Sequence, residues 1–143
     1  MIGKITQGKY FAGLIKYVTA KEGAYLLDSE GVLLQSLPGL IRSFETQSRM
    51  RPSLSNKVGH ISLNFSPRDK DRMTDEYMTG IAREYLQGMG ITDTQYLIVR
   101  HTDREHPHCH IVFNRVNNAG QPLKDSNNFR KNRDICLSLI HIS

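Results

Sequence analysis

The chain has 143 residues, enough for one domain with one sizeable core. Hydrophobic residues make up 38% and charged residues 23%, and no apolar run nears the roughly 18 residues of a membrane-spanning helix. Nineteen Lys and Arg against fourteen Asp and Glu leave a net charge of +5, which suits a phosphate-rich partner, while two cysteines are too few for a disulfide framework. The opening Met1-Ile2-Gly3-Lys4-Ile5 has no apolar stretch of a secretory signal, so the expected compartment is the cytoplasm.

Residues 1–6 alternate as a short strand. Phe11, Leu14, Ile15 and Val18 recur at i, i+3, i+4 and i+7, predicting a helix over 10–20 that Gly23 ends. Residues 24–28 and 32–34 read as extended pieces around a turn at Ser29-Glu30-Gly31. Ser36-Leu37-Pro38 opens a second helix to about residue 50, with Leu40, Ile41 and Phe44 inward. Residues 57–66 form a clear strand, with Ile61, Leu63 and Phe65 on one face and His60, Ser62 and Asn64 on the other. Thr74 is a candidate N-cap for a third helix carrying Met78, Ile81, Ala82, Tyr85 and Leu86, stopped by Gly88-Met89-Gly90. Strands follow over 95–101 and 108–116, then a turn at Asn117-Asn118-Ala119-Gly120. A polar helix starts over 127–136. The order predicts a single α+β domain, a mostly antiparallel sheet with helices on one side.

The tail, residues 137–143, matches what one reading frame of a transposon mosaic-end sequencing adapter encodes. It is expected to be an assembly scar. The expected catalytic domain is therefore residues 1–136, truncated at its C-terminus.

Four of the six histidines fall within residues 101–110. His108 and His110 are two apart on a strand, so they share a face, and Cys109, Ile111 and Phe113 take the other as core. His101 ends the preceding strand. If the two strands pair as a hairpin, three imidazoles converge. Imidazole binds divalent transition metals, and three neutral ligands leave positions open for water or substrate, as a catalytic site needs. Asp103 and His106 lie in the connecting loop, and Asp103 is a candidate to accept the outer N–H of a metal-bound imidazole. Asn114 shares the face of His108 and His110 and is a candidate to orient a ligand. Basic residues cluster in two sets, Arg42, Arg49, Arg51 and Lys57, and Arg115, Lys124, Arg130, Lys131 and Arg133. Either could track phosphates, and neither is singled out as a site.

Residues 101–114, HTDREHPHCHIVFN, resemble the third motif of relaxases, the mobilisation nucleases of conjugative and mobilisable plasmids. That motif reads approximately His-x-Asp-x-x-His-Pro-His-x-His-hydrophobic-Val-x-Asn. Lys16-Tyr17-Val18 before Lys21-Glu22-Gly23-Ala24 looks like the family's nucleophile segment, and residues 58–66 look like the strand before its long helix. The resemblance implies a central five-stranded antiparallel sheet of the HUH endonuclease type. It implies a tyrosine that attacks one phosphodiester at a transfer origin, leaving a 3′-hydroxyl and a 5′-phosphotyrosine. Tyr17 sits in the family-like position, with Tyr25 as runner-up and Tyr10 third. His101, His108 and His110 would hold a divalent metal, magnesium or manganese by the family's habit, with zinc a further candidate. His60 is a candidate to assist proton transfer or hold the phosphate. Single-stranded DNA is the implied partner, with accessory mobilisation proteins and a conjugative coupling protein, and no membrane.

Three other readings remain open at this point. Residues 106–112 also fit the histidine-triad nucleotide hydrolases, which use a histidine nucleophile and no obligatory metal. A DNA-binding accessory protein with a structural zinc is a second, although no cysteine ligand accompanies the histidines. A rolling-circle replication initiator is a third, but it usually carries its tyrosine after the histidines.

Overall fold

The computed structural model describes residues 1–124 and 129–142. The elements run β1 (Ile2–Gly8), α1 (Phe11–Ala20), β2 (Tyr25–Glu30), α2 (Leu37–Ser48), β3 (Val58–Asn64), α3 (Asp75–Gly88), β4 (Tyr96–His101), β5 (His108–Asn114) and α4 (Phe129–Ile142). The five strands form one antiparallel sheet in the order β1-β3-β5-β4-β2. The class is α+β, as expected.

Local chemistry sets the element ends. The Ser36 hydroxyl accepts the Gly39 N–H at 3.1 Å and caps α2, with a proline in its first turn. Thr74 does the same for α3 through the Tyr77 N–H at 3.1 Å. Gly23, with φ of +80°, turns the chain after α1 in the left-handed region that glycine tolerates.

Several boundaries differ from expectation: β3 spans Val58–Asn64 within the expected 57–66, and β5 ends at Asn114, before the expected 116. β2 continues through Ser29 and Glu30, which pair with Leu97 and Tyr96, and the turn comes at Gly31 with φ of +69°. Residues 32–34 form no strand, and Leu33 and Leu34 stay exposed. A 3-10 turn over Pro67–Arg72, too polar to show an apolar stripe, leads into α3. The first two residues of the predicted last helix, 127 and 128, lie outside the described residues. α4 itself is continuous across residue 136, with Cys136 and Leu139 buried.

The expectation of helices on one side is corrected: they cover both faces. α1 and α2 send Phe11, Ile15, Val18, Leu40, Ile41 and Phe44 onto Val58, Leu97, Val99 and Val112. The α3 stripe, with Cys136 and Leu139 of α4, meets Ile61, Leu63, Ile98, Cys109, Ile111 and Phe113 on the other face. The central strands are therefore apolar on both sides, which explains the unbroken runs Leu97-Ile98-Val99 and Ile111-Val112-Phe113. Each such buried side chain contributes about 1.5–3 kcal/mol. Gly59 pairs with Phe113 across the ladder, and a Cβ there would overlap the Phe113 ring. That glycine lets the ring lie flat on β3.

The α1/α2 face changes character along its length. At one end it is apolar. At the other, the strand register lines up Asn64, His108 and His101 in one row and Ser62, His110 and Val99 in the next. The C-terminal turn of α1 ends beside this polar end.

Candidate active site

β4 and β5 pair as a hairpin, with His101 directly opposite His108. His110 shares the face of His108, one row further in. The ring centroids of His101 and His110 are 4.4 Å apart, those of His101 and His108 5.6 Å, and those of His108 and His110 5.7 Å. One nitrogen from each ring lies within 4.8 Å of the others, a spacing that can surround one cation.

The other nitrogens are held. His101 Nε2 is 2.8 Å from the Val18 carbonyl, which can only accept, so Nε2 carries the proton and Nδ1 keeps its lone pair. His110 Nδ1 is 2.9 Å from His60 Nε2, and the two rings stack at 5.1 Å and 17°. That leaves His110 Nε2 for a ligand. His108 Nδ1 is 3.3 Å from the His106 carbonyl, while His108 Nε2 is 3.3 Å from Asp103 Oδ1. Both of its nitrogens face oxygen acceptors, yet a neutral imidazole has one N–H. A cation at Nε2 resolves that mismatch, so the donor set fits a divalent metal.

Burial favours the neutral form of His60, His108 and His110. Burial, then the charges of neighbouring histidines, pushes His110 down to about 3. Burial also holds His60 and His108 below the ordinary histidine range. Neutral imidazole is the form a metal needs. Cys109 faces the α3 core and is fully buried, and burial pushes its thiol up to about 12, so it is no ligand.

Tyr17 lies on α1, half-exposed, its ring edge-on to both His101 and His110 with centroids 6.3 Å away. Tyr25 is elsewhere. It pairs with Arg100 on the α3 face, and its hydroxyl donates to Asp75 Oδ1 at 2.7 Å. Tyr10 precedes α1 and is largely exposed, about two helical turns from Tyr17. Asp103 does not meet the outer nitrogen of His108, which faces the His106 carbonyl; it lies 3.3 Å from Nε2, the nitrogen left for a cation, and its second oxygen pairs with Lys21 Nζ at 3.0 Å. The Lys21 hydrogen bond and charge hold the Asp103 carboxyl below its usual range. His60 stands against His110.

Asn114 does not join the site. It is fully buried, donates to the Phe44 carbonyl and Gln95 Oε1 at 3.0 Å each, and accepts the Val116 N–H, also at 3.0 Å. Its polar atoms are consumed in tying α2 to the sheet. Three participants have no counterpart in the sequence reading: the carbonyls of Val18 and His106, and Lys21. A backbone acceptor has no sequence signature, and Lys21 stands out in the sequence only as one residue of the segment after Tyr17.

Three clustered imidazoles on an antiparallel hairpin, with a half-exposed tyrosine at their edge, make a site able to hold a divalent metal beside a hydroxyl group. The chain belongs to the relaxase family: the family model for the MobA/VirD2-like relaxase nuclease domain matches residues 17–141. The histidine-triad hydrolase, structural-zinc and rolling-circle readings give way to it. Among curated relatives, the group II intron-interrupted relaxase LtrB of Lactococcus lactis subsp. cremoris strain MG1363 is 36% identical over 58 residues. That stretch is 41% of this chain and 10% of that protein. The same relaxase from Lactococcus lactis subsp. cremoris matches with the same figures.

Proposed function

We propose that this domain nicks and rejoins one strand of DNA at a transfer origin, with Tyr17 as nucleophile and His101, His108 and His110 as the metal ligands. The observation that carries the reading is the placement of Tyr17: of the three candidate tyrosines, it alone contacts the histidine cluster. In the reaction, Tyr17 Oη bonds to phosphorus and the bond to the departing 3′ oxygen breaks with its electron pair. The phenolic proton passes to a solvent base, and the leaving oxygen takes a proton from water as the 3′-hydroxyl. The phosphotyrosine conserves the bond energy, so resealing needs no nucleotide cofactor.

A bound divalent metal supplies positive charge to the phosphate oxygens, relieving repulsion of the nucleophile and stabilising the charge that develops. Magnesium or manganese is the metal proposed, with zinc as the alternative that three imidazoles would also accept. The chain's own residues prepare that centre. Val18 and His106 carbonyls orient His101 and His108, His60 orients His110, and Asp103 faces His108 Nε2. His60 thus acts on the ligand, more directly than on the phosphate.

Single-stranded DNA is the proposed substrate, the cytoplasm the proposed compartment, and mobilisation accessory proteins with a coupling protein the proposed partners in plasmid or mobile-element transfer. Among the described residues, no helix is long and apolar enough to cross a membrane. The test is covalent capture from a randomised single-stranded DNA pool with manganese present. Mass spectrometry of the captured protein after proteolysis should find nucleotides on the peptide containing Tyr17. Nucleotides on Tyr25 or Tyr10 instead would overturn the assignment.

A further inference from the structure

Lys21 follows α1 by one residue and is joined to the metal hairpin. Its Nζ is 3.0 Å from Asp103 Oδ2 and 5.5 Å from the centroid of the Tyr17 ring. Two other bonds already fasten this segment to the hairpin: His101 Nε2 to the Val18 carbonyl at 2.8 Å, and Thr102 Oγ1 to the Gly23 carbonyl at 3.0 Å. Gly23 approaches so closely that a Cβ there would overlap Thr102. The Lys21–Asp103 pair is not needed to hold the chain. Both side chains are partly open to water, where an ion pair adds little to stability. What the pair does is place an ammonium over Tyr17, on a side of the site that faces solvent.

We propose that Lys21 is a second cationic group of the cleavage site, positioning Tyr17 and offsetting the charge that builds between its oxygen and the scissile phosphate. The inference rests on Tyr17 being the nucleophile. A phosphodiester carries one negative charge, and bond formation from a phenolate adds another. As metal ligands the three imidazoles bring no charge and Asp103 brings a negative one, so the protein's own charge at the centre is unfavourable without Lys21. An ammonium has three donors, so Lys21 can keep Asp103 and still reach a phosphate oxygen. The hydrogen bond and charge of Asp103, then the charge of Tyr17, hold the Lys21 ammonium above the ordinary lysine range, so it stays charged at neutral pH.

The test uses the oligonucleotide that the wild-type chain captures from the randomised pool. Single-turnover adduct formation is measured with manganese against DNA concentration for wild type, Lys21→Met, Lys21→Arg and Tyr17→Phe, and melting curves check folding. Lys21→Met should slow the rate at saturating DNA by about 10- to 100-fold, less than loss of a buried oxyanion donor because the site is open. Half-saturation should change little, and Lys21→Arg should recover most of the rate. A Lys21→Met variant at the wild-type rate, or one impaired only in half-saturation, overturns the proposal while leaving Tyr17 in place. Lys21→Arg as slow as Lys21→Met overturns it too, since charge would not be what matters. Adduct formed by Tyr17→Phe, or no strand captured by wild type, sinks the nucleophile assignment itself, and this inference with it.

Discussion

Removing the His60 imidazole tests whether the metal centre depends on the group behind its ligand. His60→Ala deletes the 2.9 Å bond to His110 Nδ1 and the stacked ring at 5.1 Å. β3 itself should survive, because its ladder to Thr6 and Val112 is made by the main chain. His110 then loses the partner that fixes its tautomer and ring plane. Loss of such an outer partner typically weakens metal binding by about 10- to 100-fold. That is about 1.4–2.7 kcal/mol of binding free energy. His60→Gln keeps a carbonyl acceptor for the His110 N–H and should lose less. Titration calorimetry with manganese gives the affinities, and thermal melting of the metal-free variants checks the fold. Unchanged affinity in a folded His60→Ala protein would refute the idea that His60 orients His110.

His108→Ala removes a ligand outright and should abolish measurable manganese binding, read in the same calorimetric titration. Retained wild-type affinity would exclude the three-histidine centre. The metal-free protein should lose stability as pH falls below about 6.5, the ordinary histidine value. His60, His108 and His110 are held below that value in the folded state, His110 down to about 3, so the unfolded chain binds protons the folded one refuses. Melting temperatures at pH 7.5, 6 and 5 should fall in that order, and a flat or rising series would contradict the burial of these rings.

Much of the site was legible because strand geometry is local. The alternation of His108, Cys109 and His110 assigned two rings to one face and the thiol to the other, and the short loop from His101 implied the hairpin. Long-range register was not legible. His60 meets His110 diagonally across β3 and β5, fifty residues apart in sequence, and only the pairing of Ser62 with His110 puts them in reach. The helices on two faces were missed for a related reason. An amphipathic stripe says that a helix has a buried side, but not which side of the sheet receives it. Asn114 was misread as a site residue because strand parity placed it on the metal face, while its depth under α2 could not be seen. The Ser29 and Glu30 strand residues were read as a turn from their polarity, although ladder bonding to β4 outweighs it.

The most direct measurement is a denaturing gel of the chain mixed with single-stranded DNA, run with manganese or with EDTA, for wild type and Tyr17→Phe. The account predicts a protein–DNA band that needs both manganese and Tyr17. A band that persists in EDTA, or in Tyr17→Phe, would contradict a metal-dependent strand cleavage carried by that tyrosine.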